Sequence, residues 1–492
     1  VSRCMQSSAS DKNNKREWGS PMGSYFTAAP LNSDRVAFVY GDGASPYYGL
    51  GRNLNRLVPS LHEVVNEKTT DMWTEGDEAW YARQTDAEST RKTAARFADN
   101  TVDMFRSGVY HSVCHTEVAR RVLGITPKAA FGLSMGEVAM LFAFSDANSK
   151  QSDEMTRRLR SSPVWTRELS VKFDALRKAW NIPAGAPVED FWQGHVLHAS
   201  RAQVEAGIAR TGVQHVRLVI VNDDRTCIIA GKKDECATLI AHLNCKAGKI
   251  HQAMVGHCEV VAPLQKDVGQ IHGMLETPQG ALARGVELFT CVGNVPLRKM
   301  RHSTLSENIG ALYTEVADFS KIVTTVADQG YDIFVELGAG DLRAAAIGNI
   351  LEGRRHLAVA IDRKGINPWS QVMRMMAKLI GNGVSAHVSQ LYHRDLLVPP
   401  PVKKNRLRRD IPLNAYYEST KSPKDIAAQF RNIIAAPMRH VNVERRSVNN
   451  RSTAAAAAPA TAATAASSGG MVSRQPCPTQ EPPAKFMQWG LP

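Results

Sequence analysis

Three short apolar runs, "RVAFVY" (35–40), "KAAFGL" (128–133) and "YDIFVELG" (331–338), set apart by long stretches of helical spacing, constrain this chain most. The first reads as a buried strand ended by "GDG", and the other two as strands of the same kind. Between them, "GVYHSVCHTEVARRVLGI" (108–125) and "ADFSKIVTTVADQG" (317–330) carry apolar residues at helical spacing. Alternation of this sort predicts helices packed on a mainly parallel sheet.

The middle of the chain changes rhythm. "HVLHAS" (195–200) reads as a strand, "AQVEAGIART" as a helix and "HVRLVIVND" and "TCIIAG" as two strands joined at "NDDR". "KDECATLIAHL" follows as a helix and "KIHQAM" (249–254) as a last strand. The order is βαββαβ, the ferredoxin-like module. A small subdomain, 195–257, is therefore expected to be inserted in a large one, 34–194 and 258–398, with a ligand crevice between them.

Composition sets the outer limits. Of 492 residues, 43% are hydrophobic and 22% charged, which is globular and excludes disorder of the whole chain. Residues 1–33 are polar and pattern-free and read as an N-terminal linker; the opening Val reads as the start of a piece of something longer. Residues 399–440 read as a second linker, and 441–492 as a low-complexity Ala/Pro/Ser tail. No secretory segment and no apolar run of bilayer length is present, so neither membrane nor export is expected. The eight cysteines contain no CxxC pair, which argues against disulfides or zinc and fits a reducing, cytoplasmic setting. The net charge of +13 is concentrated in places such as "KKNRLRR" (403–409), with no aromatic-and-basic pattern beside it. Nucleic acid is therefore not an expected partner; the basic run reads as a solvated linker, with an acidic protein partner as the functional alternative.

"FGLSMGE" (131–137) carries the chemistry. Glycines two positions before and after Ser134, with a strand before and a helix after, form the nucleophile elbow of an α/β-hydrolase-like domain. Such a turn exposes the hydroxyl at the sheet edge, and the Met135 N–H at the helix start faces an oxyanion. A serine hydroxyl needs a base within hydrogen-bond reach. Among 15 histidines, His257 in "AMVGHCEVVAP" is selected by position, where the chain returns from the small subdomain to the large one. Cys258 beside it reads as a small packed residue, since neighbours on an extended segment face opposite ways.

In order along the chain, "FVYGDGASPYYGLGRNL", "FGLSMGE", "VIVNDDRTCIIAG", "VGHCEVVAP", "VADFSKIVTTVADQGYDIFVELGAG" and "RLRRDIPLNAYY" resemble motifs of the acyltransferase domains of fatty acid and polyketide synthases. They most resemble those of polyunsaturated fatty acid synthases. The resemblance runs from about Arg35 to Tyr417. It implies an acyl group carried on Ser134, with His257 as base and then acid. It also implies a backbone carbonyl near Asp318 to orient the histidine, and oxyanion donors from the amides of Met135 and Asp42. No bound cofactor or metal is implied, because the acyl group arrives as a CoA or phosphopantetheine thioester. The implied partners are acyl carrier protein domains, acyl-CoA and neighbouring synthase domains.

Departures bear on the substrate. Leu133 and Gly256 stand where the family carries more polar residues, leaving more room. An arginine that grips a malonyl carboxylate follows the family's nucleophile by about two dozen residues, and "RRLR" offers Arg157, Arg158 and Arg160, of which Arg160 is chosen. If none enters the pocket, an uncharged acyl chain is expected. Thioesterase-like release of a long acyl chain is then the second reading, and a non-catalytic docking module the third. "FVELGAGD" imitates a nucleotide loop, but it lacks the helix and downstream acidic residue such a site needs.

Overall fold

The structure, a computed structural model, describes residues 17–389 apart from 21–22, 52–53, 55–57, 59–60, 70–85, 146–147, 251–253 and 274–284. The basic run 403–409, the motif 406–417 and the segments 399–440 and 441–492 lie outside the described residues.

A six-stranded sheet forms the centre. It contains β3 (Val36–Tyr40), β4 (Ala129–Gly132), β9 (Glu287–Thr290), β10 (Val295–Pro296), β12 (Ile333–Leu337) and β13 (Leu357–Ala360). Their order is β10-β9-β4-β3-β12-β13. All neighbours are parallel except the edge pair β10–β9. Every residue of β3, β4 and β12 is buried, as expected when helices cover both faces of a parallel sheet. The covering helices include α1 (Thr101–Glu117), α2 (Met135–Phe144), α3 (Ser149–Ser161), α6 (Leu305–Thr314), α7 (Phe319–Asp328), α8 (Leu342–Ile350) and α9 (Pro368–Gly381). β3, β4 and β12 stand where the sequence places strands, although α1 begins at Thr101, seven residues before the segment quoted for it.

The second sheet comes from β5 (Gln193–Leu197), α4 (Arg201–Thr211), β6 (Val216–Asp223), β7 (Thr226–Gly231), α5 (Lys233–Leu243) and β8 (Ala247–Ile250). The strand order β6-β7-β5-β8 is antiparallel throughout. A separate apolar cluster, with Leu197, Val204, Ile229 and Leu239 fully buried, holds its helices to the strands. One strand is added from outside: β11 (Ala317–Asp318) pairs in parallel with β6, so the sheet draws residues from beyond 195–257.

The first 33 residues are not all linker. β1 (Glu17–Gly19) and β2 (Tyr25–Thr27) form an antiparallel hairpin near the C-terminal end of α9. Asn382 Nδ2 donates to Tyr25 Oη at 3.1 Å, and the Asn32 N–H donates to the Asn382 carbonyl at 2.9 Å. Strands of three residues are too short to show a period, and their partner is some 350 positions away in the chain.

Candidate active site

The elbow is built by close packing. A Cβ at Gly132 would sit 2.1 Å from the Gly136 carbonyl carbon, and one at Gly136 would sit 2.3 Å from the Tyr40 carbonyl oxygen. Only glycine allows β4 to turn so sharply into α2 and to lie on the end of β3. Ser134, at the apex, takes φ 57° and ψ −122°, a conformation that costs a non-glycine residue about 1–3 kcal/mol. It precedes a helix yet makes no side-chain cap. Its hydroxyl is engaged elsewhere.

That partner is His257, whose Nε2 lies 2.7 Å from Ser134 Oγ. His257 also has a positive φ, 59°. Its backbone N–H donates to the Tyr313 carbonyl at 2.6 Å, and its ring stacks on Tyr313 at 6.0 Å and 10°. Both members of the pair are 6% exposed. His257 Nδ1 lies 2.9 Å from the Leu312 carbonyl. A carbonyl only accepts, so Nδ1 carries the proton and Nε2 presents its lone pair to the serine. Burial brings the imidazole down to about 4, partly offset by the Leu312 bond and the nearby Asp42 carboxylate.

The orienting carbonyl is therefore Leu312, and not one near Asp318. Asp318 caps α7 by accepting from the Lys321 N–H at 3.0 Å and pairs with Arg201 at 3.1 Å. Leu312 lies in the last turn of α6, where helix carbonyls lack intrahelical donors. Asn308, one turn earlier, donates to Glu137 Oε1 at 3.3 Å and to Thr290 Oγ1 at 2.9 Å. Glu137 Oε2 accepts from the Cys291 N–H at 2.9 Å. Burial raises this carboxyl to about 7. Helix α2, which begins just after the serine, is thus tied to α6, which orients the histidine.

The other expected residues fall as follows. Met135 opens α2, so its N–H has no intrahelical acceptor. Asp42 follows β3 and is buried; its Oδ1 accepts from the Ala44 N–H and Ser45 Oγ, and its Oδ2 lies 3.5 Å from Arg343. Gly256 adjoins the histidine, but a Cβ there would meet the Met254 methyl at 3.3 Å, so that methyl takes up the room expected at this position. Leu133 is fully buried in the main core. Cys258 is buried and its thiol is pushed up to about 12, consistent with a packed residue.

Arg160 is not among the residues lining the cavity nearest the pair. It turns to Asp103 on α1 at 3.5 Å, while Arg157 and Arg158 both pair with Glu154. The neighbouring Leu159 instead lines a small cavity of about 70 Å³ with Val138, Phe142, Trp165, Met135 and Tyr313. Consecutive helix residues point about 100° apart, so one step in register exchanges a guanidinium for a methyl-rich wall. Arg106 and Lys68 also border this cavity. Ser134 and His257 do not line it themselves; Met135, next to the serine in the chain, and Tyr313, stacked on the histidine, do.

Sequence reasoning missed Leu312, Tyr313, Asn308 and Arg343. The first acts through its backbone and has no side-chain signature. The others become visible only when α6 and α8 meet the elbow.

No model of a known protein family matches the chain. Among solved structures, the acyltransferase domain of ZmaA superposes with a TM-score of 0.57 at 12% identity, covering 75% of this chain and 79% of that one. The malonyl CoA-acyl carrier protein transacylase of Coxiella burnetii superposes with a TM-score of 0.52 at 13% identity, covering 73% and 99%. The class is thereby defined by its architecture: this chain has the acyltransferase fold. Over 435 residues, 83% of its length, it is 40% identical to a polyunsaturated fatty acid synthase polypeptide of Thraustochytrium sp. (strain ATCC 26185 / S-3), and so is homologous to a segment of that polypeptide. It spans about a fifth, 21%, of that relative. Among the described residues, no helix is long and apolar enough to cross a membrane.

Proposed function

We propose that this chain is the acyltransferase domain of a multidomain fatty acid or polyketide-type synthase, working through a Ser134–His257 dyad. The observation that carries the reading is the 2.7 Å contact between Ser134 Oγ and a His257 Nε2 whose other nitrogen is committed to Leu312. As a thioester docks, Nε2 takes the hydroxyl proton and Oγ attacks the carbonyl carbon. The oxyanion is met by the amides of Met135 and Asp42. The carbon–sulfur bond then breaks and the leaving thiolate takes the proton from His257. A pantetheine thiol next gives its proton to His257 and attacks the acyl-serine, and the returning proton restores the hydroxyl. The substrate arrives as a CoA or carrier-protein thioester, and acyl carrier protein is the partner, in a cytoplasmic setting. The small antiparallel sheet is read as the ferredoxin-like subdomain.

A second reading is favoured by the apolar cavity. Leu159, Trp165 and Phe142 suit an uncharged acyl group, and release of an acyl chain by water in place of a thiol would make the domain a thioesterase. The test of both is intact mass after incubation with malonyl-CoA and, separately, with a long-chain acyl thioester, in the wild type and in Ser134→Ala. An adduct that persists until a thiol is added supports transfer; a long-chain adduct lost without thiol supports release. An adduct unchanged by Ser134→Ala removes both.

A further inference from the structure

The residue that stands at the oxyanion position brings a problem with it. Asp42 carries a carboxylate beside the place where the proposed reaction develops a negative charge, and like charges in a site withdrawn from water repel strongly. The structure contains a counterpart. Arg343, in the first turn of α8, is 5% exposed, and its side chain reaches across to the end of β3. Nη2 lies 3.5 Å from Asp42 Oδ2, Nη1 donates to Asn222 Oδ1 on β6 at 3.1 Å, and the guanidinium sits 5.0 Å over the Phe319 ring. Its backbone N–H donates to Glu336 Oε1 at 3.2 Å, which fixes the start of α8 against β12.

Two features mark this as more than packing. Arg343 Nε has no hydrogen-bond partner among the described residues, and an incompletely bonded buried guanidinium is costly to keep. Asp42 Oδ1 is already engaged by its own loop through Ala44 and Ser45, so Oδ2 is the oxygen left to face the cation. We propose that Arg343 is a positioning residue: it neutralises and holds the Asp42 carboxylate, so that the Asp42 amide can serve an oxyanion without an uncompensated anion beside it. This rests on the acyl-transfer reading above.

The consequence for the base has a definite sign. The groups around His257 are the Ser134 hydroxyl, the Leu312 carbonyl, the Tyr313 ring, whose phenol burial holds un-ionised, and the Asp42 carboxylate. Asp42 favours the protonated imidazole. Removing the Arg343 charge strengthens that influence, so His257 loses its proton at higher pH and the acid limb of the rate profile moves up.

The test is the rate of acyl-adduct formation on Ser134 against pH and thioester concentration, with malonyl-CoA and with a long-chain acyl-CoA. The variants are Arg343→Met, Arg343→Lys, Asp42→Asn and the double Asp42→Asn/Arg343→Met. Arg343→Met is expected to slow acylation tenfold or more at unchanged half-saturating concentration and to shift the acid limb upward. Arg343→Lys should keep most of the rate. The double variant should recover towards Asp42→Asn alone, a coupling that a packing role does not produce. Wild-type behaviour in Arg343→Met, or equal slowing with and without the Asp42 charge, overturns the proposal. So does a loss confined to malonyl-CoA through a raised half-saturating concentration, which would make Arg343 a ligand of the substrate carboxylate. Absence of any Ser134 adduct in the wild type takes down the acyl-transfer reading itself, and this inference with it.

Discussion

The carbonyl of Leu312 receives the Nδ1–H of His257 at 2.9 Å, and no carboxylate takes that place. A neutral acceptor fixes the tautomer without adding a charge to a buried site. In the proposed reaction an imidazolium at His257 would be stabilised by this dipole and, at longer range, by Asp42.

The dyad itself gives the first prediction. His257→Ala should lower the rate of acyl-adduct formation by about 10²–10⁴, the usual worth of a positioned general base, with the fold unchanged in circular dichroism. Time-resolved intact mass gives the number, and a rate within a few-fold of wild type rules the histidine out as base.

The acid side of the rate profile follows from the electrostatics. With His257 brought down to about 4, the acylation rate should rise through that pH and be flat across neutrality. In Asp42→Asn an influence favouring the protonated ring is gone, so the limb should move to lower pH. A shift in the other direction would contradict the electrostatic influence of Asp42 on the ring.

Stability should depend on pH through the buried histidines. Burial brings His111 to about 3 and His115 and His272 to about 4, all below the unfolded value of about 6.5. The unfolded chain therefore binds more protons between about pH 4 and 6.5, and stability falls as pH drops through that window. Each such group contributes up to about 1.4 kcal/mol per pH unit. Glu137 at about 7 and Glu336 at about 8 act oppositely: their folded values are raised, so they destabilise as pH rises from about 4.5 towards those values. Urea melts of wild type and His272→Leu from pH 4 to 7 test the acid arm; the variant should lose one proton's share of the slope.

The tie between α2 and α6 should matter to rate as well as to folding. Glu137→Gln turns an acceptor into a mixed group facing the Asn308 amide. It should cost about 1–3 kcal/mol of stability, the usual penalty for a buried polar group left unmatched. Because Asn308 lies one turn before Leu312, acylation should slow while half-saturation stays constant. A chemical melt and the adduct assay read the two effects separately.

Arg160 and Leu159 should behave in opposite ways. Arg160→Ala removes a partly exposed ion pair with Asp103 and should change stability by no more than about 1 kcal/mol, with malonyl-CoA and long-chain adducts unaffected. Leu159→Ala enlarges the cavity wall and should cost about 2–5 kcal/mol. Thermal melts and adduct yields for the pair decide which residue faces the acyl group.

The sequence alone determined the parallel-sheet strands β3, β4 and β12, the βαββαβ order of the middle segment, and Ser134 between its two glycines. These are local matters of apolar runs, turn residues and hydrogen-bonding period, which a short window contains. It also pointed to His257 as the serine's partner, through position and resemblance, and the fold brings the two side chains within 2.7 Å. Tertiary structure alone decided what surrounds them. Leu312 orients the ring through a backbone atom with no residue signature. Leu159 lines the cavity where Arg160 does not, because one step along a helix turns the side chain by about 100°. Arg343 met Asp42 because α8, packed on β12 and β13, sends this side chain to the loop after β3, about 300 positions away in the chain. Contacts of that kind depend on how elements dock, and docking is set by the whole core.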